Sequence, residues 1–257
     1  MSDRYFSPPG RCIYCGSTES LSAEHIIPFA LAGNLILLDA SCPPCSRITA
    51  QFEQTCCRLI MGPTRIRMQL PTRRRRQRPD HLPFHIMRDD GTFEIVSEPI
   101  TDHPTELFLF AFSKARILQG LPEFDTDEIL SQAWRYGPSG SAMVDVAKKH
   151  RGKGISVGRF DVLAFCRLLA KIGHSLAVAK YGLHSFRPLA VEFILRAKGD
   201  MGYLIGGTLE QQPVVPHLHA YRCGGVTVGS RRYVVAEIRL FANLGAPLYH
   251  AVVGEIR

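Results

Sequence analysis

The sequence predicts an α+β fold in two unequal parts, a small cysteine-rich N-terminal lobe and a larger C-terminal α+β domain. Three observations predict it. Six of the eight cysteines fall between residues 11 and 57, four of them in two Cys-x-x-Cys pairs, Cys12/Cys15 and Cys42/Cys45. Phe160 to Tyr181 is apolar on most faces and stops at Gly182, the pattern of one long buried helix. The C-terminal stretch from Ala190 carries β-branched and aromatic runs separated by Gly or Pro. Strands gathered at one end and helices at another predict a mainly antiparallel C-terminal sheet rather than a doubly wound one. The predicted boundaries are 1–57 for the lobe, 58–80 for an exposed Arg- and Pro-rich linker, and 81–257 for the large domain.

In chain order, Ser22 to Pro28 reads as a β-branched strand ended by Pro28, Gly33-Asn34 as a turn and Leu35 to Leu38 as the return strand. A helix starts near Cys45 or Ser46, with Ser46, Thr49 or Ala50, and Glu53 on one face. Thr92 to Val96 reads as a short strand after Asp89-Asp90-Gly91. Pro104 to Gln119 reads as a helix with Pro in its first turn and Gly120 past its end. Thr126-Asp127-Glu128 reads as the start of a helix to about Tyr136, and Ser141 to His150 as another. After the long helix come strands at Ala190 to Leu195, Tyr203 to Ile205, His217 to Cys223, Tyr233 to Phe241 and Tyr249 to Ile256.

The charge is local. The 257 residues carry 31 Lys and Arg against 23 Asp and Glu, a net charge of +8. Between Gln54 and Pro79 lie eight arginines and no acid: Arg58, Arg65, Arg67, Arg73, Arg74, Arg75, Arg76 and Arg78. Setting these eight aside leaves 23 basic residues against 23 acidic ones. That excludes a diffusely basic, histone-like protein and predicts one local anionic contact or one solvated segment. With 46% apolar and 21% charged residues the chain is not disordered by composition. The most apolar stretch, Phe160 to Ala179, is broken by Arg167, Lys171 and His174, so no membrane span is expected. Met1 to Gly10 has no apolar core of signal-peptide length, and the expected location is cytoplasmic.

In a reducing compartment, paired Cys-x-x-Cys spacings read as metal ligands before disulfides. The two knuckles are separated by 26 residues. Four thiolates surround one tetrahedral Zn²⁺ and leave no open position, so Cys12, Cys15, Cys42 and Cys45 are expected to hold structural zinc. A lobe this small buries little core, and a bound metal then holds it folded. Between the knuckles Glu24 sits beside His25. Adjacent strand residues face opposite sides, so this pair suits a bent hairpin in which His25 addresses a water and Glu24 reaches a metal.

The ordered set, Cys-x-x-Cys, Glu24-His25-Ile26-Ile27-Pro28, Gly33-Asn34 and Cys-x-x-Cys with a following helix, resembles the HNH endonucleases with a zinc-tethered ββα-metal fold. It spans Cys12 to about Glu53, under a fifth of the chain. The resemblance implies a metal-dependent endonuclease that hydrolyses phosphodiester bonds in DNA, with RNA as an alternative. It implies His25 as the general base on the attacking water, a task that suits an imidazole. It implies Glu24 as a ligand of one catalytic Mg²⁺ or Mn²⁺ that stabilises the leaving 3′ oxygen. Asn34 matches the Asn that holds the hairpin loop and orients the base.

One position departs from the family. An Asn usually follows the last Cys as a second metal ligand, and here that position is Ser46, with Ala50 four residues on. Either Ser46 binds the metal through water, or Glu53 helps, or the site is impaired. The alternative function is therefore a catalytically impaired zinc-ribbon protein that binds nucleic acid. Taken alone, Glu53 reads as a solvated helix residue. Cys56, Cys57, Cys166 and Cys223 read as buried thiols. Lys171, His174 and Ser175 share one helix neighbourhood, which in a long apolar helix is more often a polar edge than a pocket. The eight arginines are expected to contact the DNA backbone, because Arg is the better bidentate phosphate donor. For residues 81–257 the expected roles are target selection, dimerisation as a homodimer, or sensing.

Overall fold

The computed structural model describes residues 3–73, 75–124, 128–137, 140–156 and 160–256, with the side chains of Arg75, Ser141 and Ser156 left out. The chain is α+β, with antiparallel sheets that include a C-terminal one.

The N-terminal lobe contains β1 (Arg4–Phe6), β2 (Ser22–His25), β3 (Leu35–Ser41) and α1 (Pro43–Thr55). β2 and β3 form an antiparallel hairpin with Glu24 opposite Leu37 and His25 opposite Ile36. β1 runs parallel along the other edge of β3. The hairpin loop depends on Gly33, where a Cβ would lie 1.9 Å from the Ile27 carbonyl oxygen. β3 leads into α1 through extended Cys42, followed by Pro43 in the first turn, where a missing N–H costs nothing. Cys45, Thr49 and Phe52 form the buried face of α1.

The segment 58–80, expected as an exposed linker, starts differently. A π-helical turn, Cys56–Ile60, continues α1 and leads into α2 (Gly62–Arg67). Ile60, Met61 and Leu70 are buried. Apolar residues set among the arginines anchor this stretch to the core, a feature that charge composition conceals.

Next come β4 (His81–Met87), β5 (Phe93–Pro99), β6 (Leu107–Phe112), β7 (Ser131–Tyr136), α3 (Gly140–Lys149) and β8 (Gly154–Ser156). β4 is central in a three-stranded sheet between β5 and β8. Phe84, Ile86, Val96, Met143, Val146 and Ala147 form a small core of their own there, under α3.

Two expected helices are corrected here. Pro104 to Gln119 holds strand β6 and a short 3-10 turn, Arg116–Gln119. Leu107, Leu109 and Ala111 are buried while Phe108 and Phe110 are half-buried, which is period-2 alternation in an aromatic-rich run. The helix expected up to Tyr136 is strand β7, paired along its length with β6. Its expected start at Thr126 and Asp127 lies outside the described residues.

The remainder comprises α4 (Val162–Tyr181), β9 (Arg187–Pro188), α5 (Val191–Arg196), α6 (Met201–Leu204), β10 (Ile205–Gly207), β11 (His219–Val228), β12 (Arg231–Leu240) and β13 (Tyr249–Ile256). The C-terminal sheet has the order β10-β13-β12-β11, with β9 also on β13, and every pairing in it is antiparallel. The strands expected at Ala190 to Leu195 and at Tyr203 to Ile205 are corrected. The first is α5, with Phe193 and Ile194 buried, a Glu192–Arg196 pair at 3.3 Å on its surface and left-handed Ala197 ending it. In the second, Asp200 caps α6 by accepting from the Tyr203 N–H at 3.2 Å, and only Ile205 enters a strand.

α4 positions everything else. Asp161 caps it by accepting from the Ala164 N–H at 2.8 Å. Among the described residues it is the one helix long and apolar enough to cross a membrane, and most of it is buried. It lies between the C-terminal sheet and the N-terminal lobe. Towards the sheet, Gly173 allows close approach: a Cβ there would meet Ala251, Val253 and Ala236 at 2.9–3.1 Å. The opposite stripe, Arg167, Lys171 and His174 at i, i+4 and i+7, faces the lobe. Arg167 lies 4.7 Å over the Phe52 ring, and His174 Nε2 donates to the Ile13 carbonyl at 2.8 Å. One buried cluster therefore runs from Cys12 to Val253.

Candidate functional site

The two cysteine knuckles meet. The Sγ atoms of Cys12, Cys15, Cys42 and Cys45 all lie within 4.8 Å of one another, with Cys15 and Cys42 at 3.5 Å. A tetrahedral Zn²⁺ with bonds of about 2.3 Å needs sulfurs about 3.8 Å apart, so the four residues fit the ion. The first knuckle is built by backbone turns, Gly16 N–H to Cys12 O at 3.0 Å and Cys12 N–H to Ser17 O at 2.7 Å, with Gly16 left-handed at φ 78°. The second is the first turn of α1, where Ser46 N–H donates to Cys42 O at 2.9 Å. Cys12, Cys42 and Cys45 are buried and Cys15 is exposed.

On the hairpin that leads into the second knuckle, Glu24 of β2 is buried. Its Oε1 accepts from Lys171 Nζ at 2.5 Å. Glu53, near the C-terminal end of α1, accepts from the same Nζ at 2.8 Å. Lys171 also donates to the backbone carbonyl oxygens of His25 and of Ile26, the latter at 3.3 Å. Four oxygens from two segments, residues 24–26 and Glu53 of α1, thus surround one ammonium that is wholly buried. Desolvation raises the Glu24 pKa, and the Lys171 charge pulls it back. For Lys171, burial opposes the ammonium, but Glu24 and Glu53 outweigh it and hold its pKa above the ordinary value.

A catalytic divalent ion does not fit this arrangement. The place between the carboxylates is filled by Lys171 Nζ, and the Ser46 hydroxyl donates back to Pro43 O at 3.2 Å. The structure brings Glu53, rather than Ser46, together with Glu24. Glu53 is accordingly part of an ion-pair cluster and not a solvated helix residue.

His25 occupies the end of β2 with its ring on the other side of the strand from Glu24 and half-buried. The ring lies 5.8 Å from that of Phe29, edge to face. Burial lowers its pKa, and the charges of Lys171 and Arg73 lower it further, so His25 is neutral at pH 7. Asn34 lies in the hairpin loop, where its carbonyl accepts from the Arg4 N–H at 2.7 Å and ties β1 to the hairpin.

The arginines divide. Arg65 donates to the carbonyls of Ala30 at 2.9 Å, Cys57 at 3.4 Å and Pro71 at 3.2 Å. Arg67 donates to those of Ile100, Thr101 and His103, and Arg78 to Leu70 O at 2.5 Å. These three hold the segment to its surroundings. Arg58, Arg73 and Arg76 are exposed. Arg74 and the Arg75 side chain lie outside the described residues. The four other cysteines, Cys56, Cys57, Cys166 and Cys223, are buried.

Sequence reasoning passed over Lys171 as a site residue. The available signal was a lysine in the middle of an apolar helix, since lysine is seldom fully buried without an acidic partner. No family model matches the chain, and neither a curated protein nor a solved structure matches it.

Proposed function

We propose that the chain is an HNH-type endonuclease that hydrolyses phosphodiester bonds in DNA, with His25 as the general base. The observation that carries this reading is the setting of His25. It is a half-buried, neutral imidazole on the hairpin whose second strand leads into the Cys42/Cys45 knuckle, within reach of the Arg73 charge. A neutral imidazole accepts a proton from water near neutral pH. A cation beside it attracts the phosphodiester and opposes the charge that develops on it. Arg58 and Arg76 extend the basic surface along the backbone of the nucleic acid, which supplies affinity without sequence choice. Cys12, Cys15, Cys42 and Cys45 hold Zn²⁺ as a structural tether. The Mg²⁺ or Mn²⁺ implied by the family resemblance takes no step in this proposal, because Lys171 fills the place beside Glu24.

A second reading has its own support: a zinc-tethered protein that binds nucleic acid without cutting it. The Lys171 ammonium between Glu24 and Glu53, and Ser46 turned back on its helix, favour it. The two readings part in one assay. Zinc-loaded protein is incubated with supercoiled plasmid, linear duplex, single-stranded DNA and RNA, with and without Mg²⁺ or Mn²⁺. The nuclease reading expects cleavage of DNA that His25→Ala loses. Binding by wild type with no cleavage of any substrate selects the second reading.

A further inference from the structure

Lys171 belongs to α4, 146 residues along the chain from the hairpin it serves. Its ammonium is wholly buried and ringed by Glu24 Oε1, Glu53 Oε1, Ile26 O and His25 O. An all-oxygen ring with two carboxylates is also the donor set that a hard divalent cation selects. One point in space cannot hold both cations. We propose that Lys171 is the resident cation of this cage and excludes divalent ions from its four oxygens.

The other buried carboxylates of the large domain are already satisfied by their own partners. The Glu98 carboxylate has both its oxygens engaged by Lys149 and His150. Asp200 is occupied as a helix cap and as the partner of Arg116. In each case the groups satisfy one another within the large domain and present no shared set of oxygens around a single cation. At Lys171, by contrast, two carboxylates and two carbonyls, from residues 24–26 and from Glu53 of α1, converge on one atom. That atom is delivered by a helix whose other face, at Gly173, is fixed to the C-terminal sheet. Withdrawal of Lys171 from the cage therefore requires α4 and the hairpin to move relative to each other, or the long lysine stem to change rotamer.

Metal binding at this cage is measurable directly, independently of cleavage. Mn²⁺ is titrated into zinc-loaded full-length protein and followed by electron paramagnetic resonance. Wild type is expected to take up no tightly held Mn²⁺ at a Glu24-dependent site. Lys171→Met, which keeps the stem and removes the charge, is expected to bind one Mn²⁺ at least about 10-fold more tightly, because a fixed positive charge no longer opposes the ion. Adding Glu24→Gln to Lys171→Met is expected to abolish that site. Equal or weaker Mn²⁺ affinity in Lys171→Met overturns the proposal. Should Lys171→Met fail to fold, the wild type decides alone. Tight uptake of one Mn²⁺ that Glu24→Gln removes overturns the proposal, and its absence upholds it.

Discussion

His25 and Glu24 are neighbours in the chain and do opposite things, because a strand turns successive side chains to opposite sides. Glu24 goes inward to the ammonium of Lys171, and His25 goes to the half-exposed surface. Burial and two nearby cations lower the His25 pKa, so the neutral base persists to more acidic pH than a free imidazole allows. The acid limb of the cleavage rate is therefore expected below pH 6.5, and a limb at or above 6.5 contradicts this setting of the base. His174 is a second testable residue. Burial pushes its imidazole down to about 4, and its Nε2–H donates to Ile13 O while Nδ1 is without a partner. A free imidazole in the unfolded chain takes its proton near pH 6.5, so stability is expected to fall between about pH 6.5 and 4, by about 3 kcal/mol. The slope of unfolding free energy against pH should be shallower in His174→Gln. Lys171→Met leaves buried Glu24 without its cation, and urea denaturation is expected to register a loss of about 3–5 kcal/mol. Residues of the lobe were legible because their spacing is local: Cys-x-x-Cys, Glu-His and Gly-Asn each lie within four positions. Lys171 was not legible as a site residue, since nothing in a local window links it to Glu24.

Among elements, α4 carries the arrangement. One stripe, Arg167, Lys171 and His174, grips the lobe, and Gly173 on the other side lets the C-terminal sheet come close. Gly173→Val puts its first added carbon 2.9 Å from Ala251 Cβ and further methyls beyond it. The expected cost is about 2–3 kcal/mol in urea denaturation, as for other overpacked cores. A change below about 0.5 kcal/mol contradicts this packing. α4, α3 and strands β11 to β13 were legible because each has one dominant period and a clear stop. β6, β7 and α5 were not. The run Leu-Phe-Leu-Phe-Ala-Phe is apolar at every position, so period 2 becomes visible only once burial distinguishes the two faces. α5 is six residues long, too short for a helical period to emerge from β-branched and aromatic residues. The arginine segment is also an element with a measurable property. With Arg65, Arg67 and Arg78 holding carbonyl oxygens, the slope of log K against log salt for DNA binding should lie between about −3 and −5. The eight-contact limit would be about −7, at roughly −0.9 per phosphate contact.

At the scale of the molecule, the four-cysteine cluster and α4 belong to one buried core that reaches Val253. Removal of zinc should therefore be felt beyond the lobe. A strong chelator is expected to lower the melting temperature by about 10 °C, the consequence of losing about 3–5 kcal/mol in a chain of this size. An unchanged melting curve with all four thiols newly reactive would mean that the lobe contributes nothing to that core. The fold class and the cluster of four cysteines were visible in composition and spacing, whereas the joining of hairpin to helix through one lysine emerges only from the assembled chain. We propose His25 as the base of a phosphodiester hydrolase. The most direct test of this role is the single-turnover cleavage rate of supercoiled DNA by zinc-loaded wild type and by His25→Ala, at equal and saturating protein. The rate is expected to be at least about 100-fold lower for His25→Ala with DNA binding retained. Equal rates for the two proteins, or no cleavage by wild type, would contradict it.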